Sequence, residues 1–443
     1  MKLTSSLRCF QGCALDVLPT SSAVFRCPRC GALLDVAHDV DALRSRSAGE
    51  WRSLFRERRA EPRFPHDSGV WIRREWVAPE IPDDAIVSMG EGNAPLVWAR
   101  RHGESIGLGE LWIKQCGQSP TGSFKDLGMT VLVSTVHHAV RERRLEVRAI
   151  ACASTGDTSA ALAAYGAVAG LPVVVLLPRG KISTAQLVQP IAAGARVLSL
   201  DTDFDGCMAI IQSLAQRGLV YLANSMNALR LEGQKTVAFE MVDQLGGEAP
   251  AWVVVPSGNL GNAYALYRGF ELMRALGVID HLPRLVAAQA ENADPLYRAW
   301  TAGRREVEPL VARPTIASAI QIGNPVSAAR AMKALTAMNG VVEHASEQEI
   351  ADTAARADRT GLYVCPHTAV ALAAVEKLHR KGVIGASERV VVVSTASGLK
   401  FTDVKVRYHE GALPGLASPL ANRPLELPAD EGAVAAAIES ASR

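Results

Sequence analysis

One lysine stands alone in the segment SPTGSFKDLGMT (residues 119–130), where Lys125 lies between Phe124 and Asp126. Small polar residues and glycines surround it, and a helical pattern follows. A lysine placed against an aromatic ring in a partly apolar pocket loses some preference for its charged form, so its pKa falls. Such an amine can form a Schiff base with an aldehyde. The alternative is a solvated surface lysine without chemistry.

A second segment with chemical potential is PSGNLGNAY (residues 256–264), which follows an apolar run and opens a predicted helix. Glycines let the backbone approach an anion, and the helix N-terminus supplies free N–H groups and the positive end of its dipole. The loop therefore suits a phosphate, although it is neither a G-x-G-x-x-G motif nor a P-loop. An ordinary strand–helix turn would have the same composition. The candidate residues are Gly258, Asn259, Leu260, Gly261 and Asn262.

The segment ASTGDTSAA (residues 153–161) has the same placement between an apolar run and a helix. Its polar residues could simply cap the helix. They could also hold a carboxylate with hydroxyl and backbone N–H groups; these residues are Ser154, Thr155, Asp157 and Thr158. A phosphate-binding loop and a reactive lysine in one fold make pyridoxal phosphate (PLP) a natural aldehyde for this site.

The elements that must position these loops alternate from about residue 110 onward. Continuous apolar runs separated by helical patterns predict an α/β fold with more than one parallel sheet, covered on both faces. Ligands of such sheets lie at the carboxyl ends of strands, where the candidate loops occur. Predicted strands lie in 147–153, 172–178, 195–201, 251–258, 284–290 and 389–398, and predicted helices in 159–170 and 184–194. Residues 51–85 predict an irregular connector, and the tail after about residue 410 a peripheral segment.

Composition sets the broad class. The chain has 443 residues, 48% of them hydrophobic, and a formal net charge of +2. This near-neutral charge gives no footprint for nucleic acid or for an anionic membrane. No apolar run approaches the ~18 residues of a membrane span, and the first residues lack the apolar core of a secretory signal. Eight cysteines in so long a chain do not predict a disulfide scaffold, so we expect a cytoplasmic protein.

Four of the cysteines form two close pairs near the N-terminus, Cys9-x3-Cys13 and Cys27-x2-Cys30. Four thiolates in paired turns can bind Zn²⁺ tetrahedrally, and CPRCGALLDV is similar to the second half of a zinc ribbon. The three-residue spacing of the first pair departs from that pattern, and ordinary buried or free cysteines are the alternative. The scattered cysteines are predicted core residues: Cys116, Cys152, Cys207 and Cys365.

Taken together, the motifs resemble PLP-dependent enzymes of the tryptophan-synthase-β type (fold type II), and among them the plant-type branch of the threonine synthases. The shared motifs occur in the family order: GEGNAPL, TGSFKDLGMT, STGDTSAALAAY, NALRLEGQKT, SGNLGN and STASGLKFT. The branch is indicated by KISTAQLVQPIAAGA, DTDFDGCM, ASAIQIGNPVS and CPHTAVALAA. The resemblance covers nearly the whole chain after residue 30.

The resemblance implies a role for each candidate residue. Lys125 would hold PLP covalently and act in catalysis, and the 258–262 loop would bind the cofactor phosphate. Thr395 would face the pyridine nitrogen. Ser154, Thr155, Asp157 and Thr158 would line the substrate carboxylate and the cofactor ring oxygen. A second anion site, for the substrate phosphate, would consist of Asn224, Ser225 and Arg230. His367 is interpreted as a helix-start residue without a catalytic role.

The implied enzyme is a carbon–oxygen lyase that converts O-phospho-L-homoserine and water into L-threonine and phosphate, and it would be a homodimer. Another fold type II enzyme, such as a threonine dehydratase or cysteate synthase, is the alternative. The implied division is a zinc-ribbon-like segment (1–50), a large PLP-binding domain (51–125 and 231–443) and a small substrate-binding domain (126–230). A zinc-led regulatory or nucleic-acid-binding protein is disfavoured by the neutral charge and by Lys125.

Overall fold

The computed structural model describes residues 3–154, 156–179 and 184–441, apart from the side chains of 184–186 and 441. The strands are β1 (Ser5–Cys9), β2 (Leu34–His38), β3 (Leu96–Trp98), β4 (Leu111–Gln115), β5 (Ala149–Ala153), β6 (Val173–Pro178), β7 (Arg196–Leu200), β8 (Val220–Leu222), β9 (Trp252–Pro256), β10 (Arg284–Ala290), β11 (Val341–Ala345) and β12 (Val390–Ser394).

The helices that precede residue 240 include those that carry the candidate loops. They are α1 (Val40–Leu43), α2 (Ala48–Ala60), α3 (Arg74–Val77), α4 (Arg100–Ile106), α5 (Lys125–Arg141), α6 (Asp157–Val168), α7 (Thr184–Ala192), α8 (Phe204–Gln216), α9 (Leu229–Gln234) and α10 (Thr236–Gln244). The later helices are α11 (Gly261–Ala275), α12 (Pro295–Thr301), α13 (Ala328–Ala337), α14 (Glu347–Asp358), α15 (Pro366–Arg380), α16 (Thr402–Glu410) and α17 (Glu431–Ala441).

Two sheets form the body of the fold. The larger has the strand order β11-β10-β9-β12-β4-β3, and the smaller has the order β7-β6-β5-β8. Strands β5, β9 and β12 are buried along their whole length, as continuous apolar runs predict. The α/β prediction and the six predicted strands are confirmed.

One strand departs from the expected parallel arrangement. The short strand β3 pairs antiparallel with β4 at the edge of the larger sheet. The other strand pairs of this sheet are parallel. Such a mixed edge is common, because an antiparallel strand can be added outside the buried crossover units.

The N-terminal cysteine segment forms a separate two-stranded antiparallel sheet of β1 and β2. This hairpin packs on the main body, where the Phe10 ring meets the edge of Tyr264 on α11. The strands of the larger sheet come from both sides of the stretch that forms the smaller sheet, and the domain boundaries 1–50, 51–125 with 231–443, and 126–230 remain predictions.

The expectation of an irregular connector in residues 51–85 is wrong, because α2 runs from Ala48 to Ala60 there. A capping box between Ser47 and Glu50 begins the helix. Trp51 and Phe55, one helical turn apart, bury against Trp76 at centroid distances of 5.6 and 4.8 Å. The many charged residues concealed this narrow apolar stripe. The tail after residue 410 is largely exposed, as predicted.

Candidate active site

A cavity of about 590 Å³ lies where loops of the six-stranded larger sheet meet loops of the four-stranded smaller sheet. The loops that follow β5, β8, β9 and β12 all contribute to its wall. It is lined by every predicted cofactor- and substrate-binding residue that the structure describes: Lys125, Ser154, Asp157, Thr158, Asn224, Ser225, Arg230, Gly258, Asn259, Leu260, Gly261, Asn262 and Thr395. The remaining candidate, Thr155, lies outside the described residues, as do residues 180–183 at the start of the KISTAQ motif.

Lys125 begins helix α5 inside this cavity. Its Nζ lies 3.7 Å from the centroid of the Phe124 ring. Removal from water and the nearby Arg230 cation lower the pKa of Lys125 to about 7, although Asp157 opposes that shift. The Phe124 N–H donates to the Thr395 carbonyl at 2.9 Å, which ties the lysine to the end of β12. Lys125 is therefore an amine that is partly uncharged near neutral pH.

The neighbouring Asp126 holds the loop that leads to the lysine. Its buried carboxylate accepts hydrogen bonds from the Ser119 hydroxyl at 2.6 Å and from the backbone and hydroxyl of Thr121 at 2.8 and 2.5 Å. Burial nevertheless raises the pKa of Asp126 to about 6. Asp126 thus fixes the loop from within and leaves Lys125 to the cavity.

The glycine-containing loop joins β9 to α11. Leu260, the residue before the helix, has a φ of 67°, which is unusual for a residue with a side chain. A Cβ at Gly258 would lie 2.8 Å from the Cα of Ile320, so only glycine fits beneath that residue. The tight turn places the free N–H groups of the helix start at the cavity.

Asn262, in the first turn of α11, supplies a further indication of a ligand at this loop. It is 9% exposed, and neither its side-chain nitrogen nor its side-chain oxygen has a hydrogen-bond partner among the described residues. Buried polar atoms are rarely left in that state without a ligand or water. An unpaired donor at a helix N-terminus is the chemistry that a phosphate group requires, so the residues present fit the phosphate of PLP.

Arg230 forms a second cationic centre in the same cavity. The residue is 3% exposed, and its guanidinium donates to the Ala223 carbonyl at 3.2 Å and to the Thr158 hydroxyl at 3.5 Å. Its Nε has no partner, and no carboxylate of the described chain forms an ion pair with it. Burial lowers the pKa of Arg230 to about 10, which leaves it charged at neutral pH. Arg230 thus presents to the cavity a positive charge that no carboxylate of the described residues neutralises.

Two glycines bring Arg230 towards the lysine helix. A Cβ at Gly128 on α5 would lie 2.7 Å from the Arg230 carbonyl oxygen, and a Cβ at Gly233 on α9 would overlap the Leu127 carbonyl. Any larger residue at either position would separate α5 from α9. The glycines of KDLG and RLEG therefore set the spacing between the two cationic groups.

Asn224 has a more structural environment than the resemblance implied. Its side-chain oxygen accepts from the Ala153 N–H at 3.0 Å, and its side-chain nitrogen donates to the Ala153 carbonyl at 2.8 Å. These two bonds join the end of β5 to the loop after β8. One amide hydrogen of Asn224 remains for a ligand. Its role in binding a substrate phosphate stays a prediction, as does that of Ser225.

Sequence reasoning assigned no role to several residues that the structure places in the cavity or on its rim. His367 is buried at the start of α15, lines the cavity and accepts the Ala319 N–H on its Nε2 at 3.0 Å, which holds the 318–322 loop. Lys400 forms an ion pair with Asp157, with 2.8 Å between Nζ and Oδ1. The signal for Lys400 was its position in STASGLK, directly after a buried strand, and the signal for the 318–322 loop was its position in the motif ASAIQIGNPVS, to which no site role was assigned.

The four N-terminal cysteines converge outside this cavity. The Sγ atoms of Cys9, Cys13, Cys27 and Cys30 all lie within 4.8 Å of one another. The scattered cysteines are buried, as predicted, and all eight are free thiols. Among the described residues no helix is both long and apolar enough to cross a membrane.

Comparison with known proteins identifies the family. A family model for pyridoxal-phosphate dependent enzymes matches residues 87–396. The chain is 55% identical over 406 residues to threonine synthase 2, chloroplastic, of Arabidopsis thaliana, covering 91% of this chain and 78% of that protein. It is 38% identical over 388 residues to the threonine synthase of Methanocaldococcus jannaschii, covering 87% of this chain and 91% of that protein.

Solved structures agree with this fold. The threonine synthase of Escherichia coli superposes with a TM-score of 0.67 at 23% identity, over 98% of this chain and all of that one. PLP-bound threonine synthase of Brucella melitensis gives 0.68 at 20% identity, over 96% of this chain and 93% of that one. The chain therefore belongs to the threonine synthases, within the fold type II family of pyridoxal-phosphate-dependent enzymes.

Proposed function

We propose that the chain converts O-phospho-L-homoserine and water into L-threonine and inorganic phosphate, with PLP held at Lys125. The observation that carries this proposal is Arg230, a buried cation that lines the cavity and has no carboxylate partner in the described chain. In this proposal the 258–262 loop would hold the cofactor phosphate. A second anion position is then explained by a substrate that carries its own phosphate.

The cofactor would be held by groups on three sides of the cavity. Lys125 would bind it covalently, Asn262 and the backbone of 258–262 would hold its phosphate, and the Thr395 hydroxyl would face its ring nitrogen. Asp157 would lie near its ring oxygen. When bound, PLP delocalises the electron pair left at the substrate Cα.

Lys125 would also move protons. The reaction removes protons from Cα and Cβ, expels phosphate from Cγ, adds a proton at Cγ, and then adds the hydroxyl of water at Cβ and a proton at Cα. A lysine whose pKa is lowered to about 7 can accept and return protons near neutral pH. One amine reaching both carbons could therefore serve as base and acid.

Arg230 would bind the phosphate that leaves from Cγ. The guanidinium presents a planar set of donors that suits a phosphate, and its charge stabilises the negative charge that develops on departure. Ser225 and the free amide hydrogen of Asn224 would add neutral donors. Ser154, Thr155 and Thr158 would bind the substrate carboxylate.

A product assay tests this function. The holoenzyme incubated with O-phospho-L-homoserine should release L-threonine and inorganic phosphate in a one-to-one ratio. Lys125→Ala is the inactive control. Formation of 2-oxobutyrate and ammonia from threonine, with no reaction of the phosphorylated substrate, would instead indicate a threonine dehydratase.

We also propose that Cys9, Cys13, Cys27 and Cys30 bind one structural zinc ion. The mutual proximity of their Sγ atoms and the soft, anionic character of four thiolates support it. None of the four lines the cavity, so the ion would have no catalytic part.

Metal analysis tests the zinc site. Protein purified without added metal should contain about one zinc ion per chain. Cys27→Ser/Cys30→Ser should lose it, and Cys207→Ser, which removes a buried cysteine elsewhere, should not. A double variant that keeps the wild-type metal content would refute the site.

The compartment and the assembly are proposals as well. We propose a cytoplasmic homodimer: eight free thiols suit a reducing compartment, and the dimer is implied by the family resemblance. The name of the Arabidopsis relative places that protein in the chloroplast. Light scattering of the purified protein would establish the assembly.

A further inference from the structure

Lys400 is a cation with three oxygen contacts beside the cavity. It lies in the short turn Gly398–Phe401 that follows β12. Its Nζ contacts the Asp157 carboxylate at 2.8 Å, the Thr121 carbonyl at 2.9 Å and the Gln189 side-chain oxygen at 2.7 Å. The first contact is an ion pair and the other two are hydrogen bonds, so Lys400 is held by three oxygen atoms.

The three acceptors belong to different parts of the site. Thr121 lies in the loop that Asp126 holds in front of Lys125, Asp157 begins α6, and Gln189 lies on α7. Gln189 also donates to the Thr121 carbonyl at 3.1 Å. Since β12 belongs to the larger sheet and α6 follows a strand of the smaller one, Lys400 connects both sheets at the cavity.

The local backbone makes room for this lysine. Gly122 has a φ of +81°, and a Cβ there would lie 3.0 Å from the Cδ of Lys400. The Ser397 N–H donates to the Gly122 carbonyl at 2.9 Å and fixes the approach of the two loops. The side chain of Lys400 is 20% exposed and that of Asp157 10% exposed, so the ion pair is largely shielded from water.

Asp157 is the acidic residue of the cavity wall whose charge acts on Lys125, although Asp203 and Asp205 also line the cavity. Lys125 and Arg230 lie near Asp157, and the charge of Asp157 favours a protonated Lys125 whereas that of Lys400 opposes protonation. Without the Lys400 contact, the charge of Asp157 would act more strongly on Lys125 and would favour pairing with its protonated form. Such pairing would oppose attack by the amine, because only the uncharged amine is a nucleophile.

We propose that Lys400 is a positioning residue that engages the Asp157 carboxylate and thereby keeps it from pairing with Lys125. This inference rests on the proposed role of Lys125 as the cofactor lysine, but it does not depend on the identity of the substrate. In this arrangement Lys125 remains able to react with the cofactor although Asp157 lies in the same cavity.

The test is the rate at which the full-length chain, stripped of cofactor, captures added PLP, followed by the visible absorbance of the bound cofactor at different pH values. Lys400→Met should slow capture at neutral pH by about tenfold and move its pH profile upward, because Asp157 then favours the protonated lysine. Because Asp157 also belongs to the proposed cofactor site, the double variant Lys400→Met/Asp157→Asn is compared with Asp157→Asn alone, and the two should capture PLP at the same rate and with the same pH profile. Lys405→Met, which removes a similarly buried lysine paired with Asp358 outside the cavity, is the matched control and should capture PLP at the wild-type rate.

Two outcomes would overturn the inference. Capture by Lys400→Met at the wild-type rate and pH would show that Asp157 does not compete for Lys125. A double variant that captures PLP about tenfold more slowly than Asp157→Asn alone would show that Lys400 acts through the loop structure and not through Asp157. If capture behaves as expected but O-phosphohomoserine is not turned over, the proposed function fails and the role of Lys400 stands.

Discussion

The two sides of helix α9 carry buried charges in opposite situations. On one side, Arg230 lines the cavity without a carboxylate partner in the described chain. On the other side, Glu232 meets the N-terminal hairpin, where its carboxylate lies 2.5 Å from His38 Nε2 and also contacts Lys235. All of these residues except His38 are at most 3% exposed.

The same contrast separates two lysines. Lys235 pairs with Glu232 and lies 3.0 Å from His38. Lys125 has an aromatic ring beside it, and no carboxylate lies within ion-pairing distance of its Nζ among the described residues. Buried charges that satisfy one another maintain a structure, whereas buried cations without partners mark a place for an anionic or electrophilic ligand. The six-residue helix α9 therefore lies between a region of paired charges at the N-terminal hairpin and the candidate active site.

The largest expected effect comes from removing the unpaired lysine. Lys125→Ala should reduce turnover by about 10²–10⁴-fold or more, because the proton transfers lose their base. It should also abolish the covalent cofactor link. Borohydride reduction of the wild-type holoenzyme, followed by peptide mapping, should place the cofactor on Lys125. A label on Lys235, or on Lys114, which pairs with the Glu240 carboxylate at 2.5 Å, would contradict the contrast between paired and unpaired lysines.

A smaller effect is expected on the structural side of α9. Glu232→Gln leaves Lys235 buried without its carboxylate, which should lower the free energy of unfolding by about 3–5 kcal/mol. Urea denaturation measures it. The control is Glu271→Gln, whose partly exposed pair with Arg268 should be worth less than about 1 kcal/mol. Equal losses in the two variants would contradict the structural role of Glu232.

The stability difference between wild type and Glu232→Gln depends on pH, because the Glu232 carboxylate must be ionised to stabilise the fold. Burial opposes ionisation, but Lys235 and His38 lower the pKa of Glu232 to about 2 from an ordinary value of 4.5. The stabilisation is therefore complete above pH 4.5 and is lost as the pH falls towards 2. Denaturation curves of wild type and Glu232→Gln should converge over this range.

The smallest expected effect is a gain in stability. Since the pKa of Lys125 falls from 10.5 to about 7 in the folded chain, the unfolded chain binds more protons between these values. The cost of burying the amine is complete below pH 7 and disappears as the pH approaches 10.5. Lys125→Met without cofactor should therefore melt a few degrees higher than wild type at pH 7. A gap that persists or widens at pH 10 would contradict this.

The sequence predicted those parts of the site that local patterns encode. Apolar runs marked the strands, and the loops after them contain Gly258, Asp157 and Thr395. Lys125 was identified from its own segment, because a lysine between an aromatic residue and a helix start is uncommon. The resemblance added Arg230, whose burial no local pattern shows.

The parts that escaped prediction depend on contacts distant in sequence. The pairing of Lys400 with Asp157 joins residues 243 positions apart, and the pairing of Glu232 with His38 joins residues 194 apart. Helix α2 was missed for a local reason, since Trp51 and Phe55 form only a narrow apolar stripe among charged residues. Only the three-dimensional structure shows which buried cations pair with a carboxylate and which do not. The composition of the sequence does not distinguish the two kinds.

The meaning of the unpaired Arg230 is tested most directly by the kinetics of Arg230→Ala with O-phospho-L-homoserine. Loss of a charged hydrogen bond to phosphate commonly costs ~2–4 kcal/mol, or roughly 30- to 1000-fold in kcat/KM. We predict a loss of at least about tenfold with PLP content and absorbance unchanged, and an intermediate value for Arg230→Lys, which keeps the charge without the paired donors. Near-wild-type kinetics, or loss of bound PLP, would show that Arg230 does not bind the substrate phosphate.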